Sequence, residues 1–323
     1  MDDKRLIVSG SPHMHTKDTV KGKMWGVVVA LLPAVIFSVY AFGLGALVVI
    51  FTSVLGCVMI EYLIQRYLVG GKLTVTNGSA VITGLLLAMN LPSNLPIWII
   101  LIGCLVAIGL GKYAFGGLGQ NIFNPAILGR VFLLISFPQQ MTTWPVPFVS
   151  RGSYLDAATG ATVLGRMKMN ELMPENVDLM GSFIGQMGGS LGEVSAVALL
   201  LGGLFLIVRR IITWHIPLSI MITVSVFSWL AGINPLVSLL SGGVLLGSIF
   251  MATDYVTSPM TRNGMILYGV MIGVITMVIR LWGAYPEGVS FAILIMNGFT
   301  PLINVYMRPK RFGERRGNKV WRK

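Results

Sequence analysis

The chain has 323 residues, of which 54% are apolar and only 11% are charged, and its mean hydropathy is +0.79. Soluble domains carry roughly a quarter charged residues, so this composition excludes an ordinary soluble protein and predicts an integral membrane protein. The net charge of +12 would suggest nucleic acid as a partner in a soluble chain. Here the basic residues lie beside apolar runs, so we expect membrane lipid, and no nucleic acid, around the protein.

Ten apolar segments predict an all-α protein that crosses the membrane ten times. The first half of the chain contains segments 24–42, 44–65, 78–91, 95–111 and 125–138, and the second half contains 195–208, 216–231, 235–252, 265–283 and 288–307. The predicted domains are an N-terminal tail (1–23), a first unit of five spans (24–138), a polar loop (139–194), a second unit of five spans (195–307) and a basic tail (308–323). No apolar stretch precedes Lys23, so no cleavable signal peptide is expected.

The distribution of Lys and Arg predicts how the chain is oriented in the membrane. With ten crossings, nineteen of the 24 basic residues fall on the side that contains both termini. Four fall on the opposite side, namely Arg151, Arg166, Lys168 and Arg280. Because cytoplasmic segments are enriched in Lys and Arg, we expect both termini in the cytoplasm and the loop 139–194 outside it.

A sequence pattern near the end of the first unit recurs near the end of the second. Asn121, Phe123, Pro125 and Ile127 have the same spacing as Asn297, Phe299, Pro301 and Ile303, and Ala88-Met-Asn90 is similar to Ala252-Thr-Asp254. A unit of five spans repeated in tandem inserts upside down the second time, so the pattern predicts a 5+5 inverted repeat. Chance matching of a few residues is the alternative.

The two matched prolines predict interruptions at the repeat interface. A proline removes a backbone donor, and a helix broken at membrane depth lines a cavity or is satisfied by protein. Pro125 is equally consistent with a break and with the first residue of a helix. Pro301 lies deeper in its segment, so a break is expected there.

The polar loop contains the most informative motif, Asp156-Ala-Ala-Thr159-Gly160-Ala161-Thr162. A loop of this length predicts a function or a docking surface. Gly160 and Ala161 have almost no side chain, so another protein's active site could approach the backbone closely. We therefore expect Thr162 to be exposed and its hydroxyl to accept a covalently attached group.

This motif resembles the pattern Asp-x-x-(Ser/Thr)-Gly-Ala-(Ser/Thr) recognised by the flavin transferase that joins FMN to protein through a phosphoester. Residues 156–162 fit it at every position. The stretches Ser11-Pro-His13, 78–92 and 119–125 extend the resemblance over essentially the whole chain. The sequence resembles the RnfD family, which belongs to the Rnf complex, the membrane ferredoxin:NAD oxidoreductase. It is also similar to the B subunit of the sodium-pumping NADH:quinone oxidoreductase. The short N-terminal extension favours the Rnf family.

The resemblance implies an electron-transfer subunit of the bacterial or archaeal cytoplasmic (inner) membrane, coupled to Na⁺ or H⁺ translocation. It implies FMN on Thr162, with Asp156, Thr159, Gly160 and Ala161 as the supporting motif. It also implies a ten-helix inverted repeat similar to urea channels and a second, non-covalent flavin, riboflavin, whose contacts no motif assigns. The implied partners are Rnf subunits A, B, C, E and G, and a flavin transferase for maturation. No ferredoxin-docking cluster or NAD site is visible, so the chain is not expected to be a complete enzyme, and no catalytic residue is assigned.

Four ionisable residues are predicted near membrane depth, where such groups are functional candidates. Asp254, beside the repeat-matched residues, is the best candidate for contact with an ion or the second flavin. We expect Arg130 and Arg280 to extend to the membrane interface and Glu61, five residues before Arg66, to pair locally.

The remaining histidines and cysteines predict no metal site. His13 and His15 have no partner histidine nearby, and Cys57 and Cys104 lack the paired spacing of a metal or cluster site. His215 is expected at an interface, and both cysteines are expected to be small buried apolar residues. The alternative function is a channel or transporter with a urea-channel-like fold and no redox cofactor, for which the repeat alone would suffice.

Overall fold

The computed structural model describes residues 19–70, 75–149, 151–169, 179–185, 188–283, 285 and 287–309. His13, His15 and the two terminal tails beyond these ranges lie outside the described residues. The described part is mostly helical, with a single two-stranded antiparallel pair among its residues. The predicted all-α class is therefore confirmed.

The first half of the chain forms five apolar helices. These are α1 (Val20–Phe42), α2 (Leu44–Ile64), α3 (Ser79–Met89), α4 (Ile97–Leu105) and α5 (Pro125–Ser136). Helix α2 continues as a π-helix over Gln65–Val69, and α4 continues as one over Val106–Leu110. Helices α3 and α5 have 11 and 12 residues, so both are shorter than the roughly 20 residues that cross a bilayer.

The polar loop contains short elements, and the second half returns to long helices. The loop elements are α6 (Pro138–Met141), β1 (Trp144–Pro145), β2 (Thr159–Gly160), α7 (Val163–Lys168) and α8 (Leu179–Ile184). The later helices are α9 (Ala196–Val208), α10 (His215–Leu230), α11 (Pro235–Leu240), α12 (Val244–Leu246), α13 (Arg262–Trp282) and α14 (Val289–Tyr306). A π-helix over Gly247–Met251 follows α12.

Within the described ranges, five helical stretches are long and apolar enough to cross a membrane. They are Val20–Phe42, Leu44–Val69, Ile97–Phe115, Arg262–Trp282 and Val289–Tyr306. Four further apolar helices, α3, α5, α9 and α10, are shorter. The chain is thus a multi-pass membrane protein, and the ten crossings stay a prediction.

Small residues bring the long helices into close contact. On α13, Gly269 and Gly273 form a Gly-x-x-x-Gly pair that faces α10, where a β-carbon on Gly273 would lie 2.7 Å from Cβ of Thr223. On α3, a β-carbon on Gly84 would lie 2.7 Å from Cα of Val54, and the Ser53 hydroxyl donates to the Gly84 carbonyl at 2.8 Å. Such small-residue contacts are typical of helix packing in membranes, where van der Waals contact drives association.

The helix interruptions differ from those predicted at the prolines. Pro125 is the first residue of α5, whose N-terminus is capped by the Asn124 side chain. The break expected at Pro301 is wrong, because α14 is continuous through it. A proline removes one helical hydrogen bond, in this case the one to the Asn297 carbonyl. The neighbouring Thr300 hydroxyl donates to the Thr257 carbonyl, which ties α14 to another segment at this point. The predicted segment 235–252 is instead interrupted, at Ser241–Gly243.

Candidate functional site

Thr162 is the N-cap of α7, and this position fixes its hydroxyl oxygen. Its Oγ1 accepts a hydrogen bond from the Gly165 N–H at 3.1 Å, the usual bond of a threonine at a helix start. Val163 then packs on Val237 of α11, so the first turn of α7 is anchored to the helical core. The preceding residues of the motif pair as β2 with β1, in the register Trp144 with Gly160 and Pro145 with Thr159.

The expectation that Thr162 is exposed is wrong. Asp156, Thr159, Gly160 and Ala161 are exposed, whereas Thr162 is only 8% exposed. The reason is the capping geometry, because the bond to Gly165 turns the Thr162 side chain towards the core. Most of the motif is therefore exposed, and a transferase could contact it, whereas the side chain of its last residue, Thr162, is buried.

Thr162 lies in the wall of a narrow cavity between the polar loop and the helices. The cavity has a volume of about 30 Å³. Its polar lining includes Thr162, Ser182, Glu193, Ser241 and Glu287. The fit to a phosphoester rests on the chemistry of this lining, because its hydroxyl groups can donate hydrogen bonds to a phosphate at the Thr162 oxygen.

Two arginines, Arg130 and Arg280, and Glu287 are buried, and Glu287 also lines this cavity. Arg130 of α5 forms an ion pair with Glu287 and donates hydrogen bonds to Ser290 and, at 3.1 Å, to the side-chain oxygen of Asn90. Arg280 of α13 donates to the carbonyl oxygens that close the helix break, at 2.7 Å to Ser238, 2.8 Å to Ser241 and 3.2 Å to Gly242.

The structure therefore corrects the prediction for both arginines. Arg130 is 4% exposed and Arg280 is 9% exposed, so neither extends to a membrane interface. Their sequence neighbours are apolar, and the partners that satisfy them lie about 40 to 160 residues away. Sequence spacing alone gave no signal for these contacts.

Glu193 reaches the cavity because the chain before α9 folds back into the core. Gly192 N–H donates to the Met89 carbonyl at 2.7 Å, and the Ser38 hydroxyl of α1 donates to the Leu191 carbonyl at 2.6 Å. Burial, and secondarily the nearby negative charge of Glu287, raise the pKa of Glu193 to about 8. This carboxyl was not a predicted site residue, since a lone glutamate in a polar loop has no distinguishing pattern.

Asp254 lines a second, larger cavity on the other side of the repeat-matched segments. Its carboxylate accepts hydrogen bonds from Thr257, at 3.3 Å, and from the Asn121 side chain. The cavity has a volume of about 100 Å³, and its polar lining also includes Lys23 and Lys112. A mostly apolar lining with a few polar groups is typical of small-molecule and cofactor sites.

The repeat-matched segments meet beside this cavity. The Asn124 side chain donates to the Met251 carbonyl at 3.1 Å, at the end of the π-helix. The Asn124 N–H donates to the side-chain amide of Asn297 at 3.0 Å. The matched prolines have different settings, however, because Pro125 starts a helix and Pro301 lies inside one.

Glu61 is paired, but not with the nearby Arg66. Lys112 donates to Glu61 Oε2 at 2.7 Å and to Ser79 Oγ at 2.7 Å. Gln65 and Tyr113 donate to Glu61 Oε1 at 3.2 and 3.3 Å. Glu61 is fully buried and Lys112 is 3% exposed, so this is a long-range buried ion pair.

The cysteines are buried as predicted, and the fold also brings them together. Cys57 and Cys104 are both fully buried on α2 and α4, and the Cys104 thiol donates to the Ser53 carbonyl of α2 at 3.4 Å. No group of three metal-ligating side chains occurs within the described ranges. His215 stacks on Trp214, with ring centroids 4.2 Å apart.

The sequence is similar to known membrane-complex proteins over nearly its full length. Residues 7–313 match the sequence model of the NQR2, RnfD, RnfE family. The chain is 46% identical, over 97% of both chains, to the D subunit of the Na⁺-translocating ferredoxin:NAD⁺ oxidoreductase complex of Acetobacterium woodii. It is 42% identical to the D subunit of the proton-translocating ferredoxin:NAD⁺ oxidoreductase complex of Clostridium ljungdahlii, over 96% of this chain and 97% of that one. It is 38% identical to the D subunit of an ion-translocating oxidoreductase complex of Methanosarcina acetivorans, over 95% and 97%.

Proposed function

The chain belongs to the NQR2, RnfD, RnfE family, and we propose that it is an electron-transfer subunit of an Rnf-type complex that carries FMN covalently on Thr162. The relatives in Acetobacterium woodii and Clostridium ljungdahlii are named as components of ion-translocating ferredoxin:NAD⁺ oxidoreductases, which supports the subunit role. One relative is named for Na⁺ and the other for protons, so we propose coupling to either ion.

The observation that carries the FMN proposal is the position of the Thr162 hydroxyl. It ends a complete flavin-transferase motif and lines a cavity with polar walls. When bound, the isoalloxazine ring would accept and donate electrons, and the protein would set its position and electrostatics. Thr162 would provide the ester oxygen, and Val163 would anchor that oxygen to the helical core through its contact with Val237.

The covalent link fits the proposed topology. We place both termini in the cytoplasm and the Thr162 loop outside, in a ten-span 5+5 inverted repeat similar to urea channels. The third helical stretch is short in both halves, α3 in the first and 244–251 in the second, which supports the repeat. A covalent bond would retain FMN on a side where no cytoplasmic pool could replace it.

The cavity beside Asp254 is our proposed location for the second flavin or the coupling ion. Asp254 and Asn121 contribute polar groups to its lining, and Lys112 contributes a cation. A mostly apolar lining with a few polar groups suits a flavin ring such as that of riboflavin. The proposed protein partners are Rnf subunits A, B, C, E and G, with a flavin transferase for maturation.

The attachment proposal is tested by flavin fluorescence of the denatured protein in a gel, after expression with a flavin transferase. We expect a fluorescent band for the wild-type chain and for Thr162→Ser, because serine keeps the motif and the hydroxyl. Thr162→Ala removes the acceptor oxygen and should abolish the band. A band that persists in Thr162→Ala would show that FMN is attached to another residue.

The alternative function is a channel or transporter without a redox cofactor. The short α3 and the interrupted segment 235–251 are the observations that favour it, because broken segments in equivalent positions mark transport sites. If neither the wild-type chain nor Thr162→Ser gives a fluorescent band, this alternative would be favoured over the redox function.

A further inference from the structure

Glu193 has an unusual position in the cavity beside Thr162. Its Oε1 atom has no contact with solvent and no hydrogen-bond partner among the described residues, although the residue as a whole is only partly buried. Glycines enclose both carboxyl oxygens. A β-carbon on Gly243 would lie 3.0 Å from Oε1, and one on Gly189 would lie 2.6 Å from Oε2. The glycines therefore leave room for this carboxyl, which lines the same cavity as Thr162.

The terminal nitrogens of the charged groups around Glu193 bond to other residues, although Nε of both arginines has no hydrogen-bond partner among the described residues. These charged groups are Arg130 on α5, Arg280 on α13 and Glu287 before α14. Arg130 forms its ion pair with Glu287, and Arg280 donates to three carbonyl oxygens. An ionised Glu193 would thus be buried without a directly bonded cation, which is costly, whereas a protonated carboxyl could donate a hydrogen bond. The raised pKa of Glu193, about 8, agrees with the protonated form at neutral pH.

The charge of this cluster selects the class of ligand. With Glu193 protonated, Arg130, Arg280 and Glu287 leave one net positive charge. The two guanidinium groups lie outside the lining of the cavity but close to Glu193, and they disfavour a metal cation beside it, because like charges repel across a medium of low dielectric constant. A phosphodiester carries one negative charge, and this is the form that a phosphate takes when it bridges a flavin and a threonine.

We propose that Glu193 is a protonated carboxylic acid that donates a hydrogen bond to the phosphodiester of the group carried on Thr162. This inference rests on the proposed function, because the phosphodiester exists only where FMN is attached there. Glu193 is then a positioning residue that orients the linker of the cofactor, and Arg130 and Arg280 supply the charge that offsets the phosphate. A carboxylic acid kept neutral so that it can donate has precedent in enzyme sites.

The test is infrared spectroscopy of the purified complex across a pH titration. The flavinylated protein is compared with Thr162→Ala, and Glu193→Gln identifies the carbonyl band of the Glu193 carboxylic acid by its loss. We expect the band to persist to higher pH in the flavinylated protein, by at least one pH unit, because the phosphate charge and the hydrogen bond both favour the protonated form. One pH unit is a tenfold increase in proton affinity.

A second measurement covers the case in which Glu193→Gln does not fold. The phosphorus resonance of the linker in the flavinylated wild-type complex should shift with pH at the same midpoint as the carboxylic acid band. The role of Glu193 would be overturned if the carboxylic acid band had the same pH midpoint in the flavinylated protein and in Thr162→Ala. It would also be overturned if the phosphorus resonance did not change with pH. Neither result would affect the proposed function. Mass spectrometry that finds no FMN on the Thr162 peptide would instead overturn the proposed function, and the inference with it.

Discussion

At the scale of single residues, the buried pair of Glu61 and Lys112 joins two charges from distant parts of the chain. Glu61 was a candidate because a carboxylate in an apolar run requires compensation, and it is compensated. Its partner, Lys112, lies 51 residues away and meets it only because α4 packs on α2. Arg66 is closer in sequence but exposed. Sequence therefore predicted the need for a partner, and packing decided which residue supplies it.

The Glu61–Lys112 pair gives a prediction about stability. Glu61→Gln should lower the free energy of unfolding by about 3–5 kcal/mol, because Lys112 would remain buried without its countercharge. The double variant Glu61→Gln/Lys112→Met should recover part of this loss. Thermal unfolding in detergent measures both, and Arg66→Gln, on the exposed end of the same helix, serves as the matched control.

A double variant no more stable than Glu61→Gln would contradict this account. It would mean that the loss comes from the hydrogen bonds of Gln65 and Tyr113 to Glu61 rather than from the unpaired ammonium group.

At the scale of helices, apolar run length predicted the elements well, and proline predicted their breaks poorly. Most helix ends lie within a few residues of the predicted segments, because apolar runs end where glycine or charge begins. The break at Ser241–Gly243 is formed by two glycines with positive φ, Gly242 and Gly243, and by the carbonyl contacts of Arg280. This interruption depends on a side chain from another helix, so the local sequence did not reveal it.

The contact between α10 and α13 gives a prediction at this scale. Gly273→Ala should destabilise the protein by about 1–3 kcal/mol, because the added β-carbon would lie 2.7 Å from Cβ of Thr223 and force the helices apart. Gly109→Ala is the matched control, since its β-carbon would meet only Ile64 Cδ1, at 4.0 Å. Unfolding temperatures in detergent compare the two. Equal unfolding temperatures for the two variants would show that the α10–α13 contact accommodates the added methyl group without loss of stability.

At the scale of the whole molecule, charge asymmetry predicts an orientation that helix geometry alone does not supply. The membrane class followed from composition, because too few charged residues are present to cover a soluble surface. The Thr162 motif was found from sequence, since its pattern is local. The cavity beside it was not, because Glu193, Ser241 and Glu287 come together from three separate segments.

The proposed orientation is testable by cysteine labelling in intact cells. Leu155→Cys, at an exposed position in the polar loop, should react with a membrane-impermeant maleimide added outside. Arg66→Cys, exposed at the far end of α2, should react only after the cells are permeabilised. The natural Cys57 and Cys104 are fully buried and should contribute no background. The opposite labelling pattern would invert the proposed topology.

The inward-facing hydroxyl of Thr162 has a consequence for the order of biogenesis. A modifying enzyme needs an acceptor that protrudes, and here the acceptor is 8% exposed while its own helix, α7, has six residues. Local unfolding of so short a helix requires little free energy, whereas unfolding of the helical core requires much more. If FMN is attached as proposed, the transferase acts while α7 is open and Thr162 is accessible. Folding of α7 onto the core then buries the modified residue. A variant in which α7 cannot open would stay colourless for as long as it remains folded.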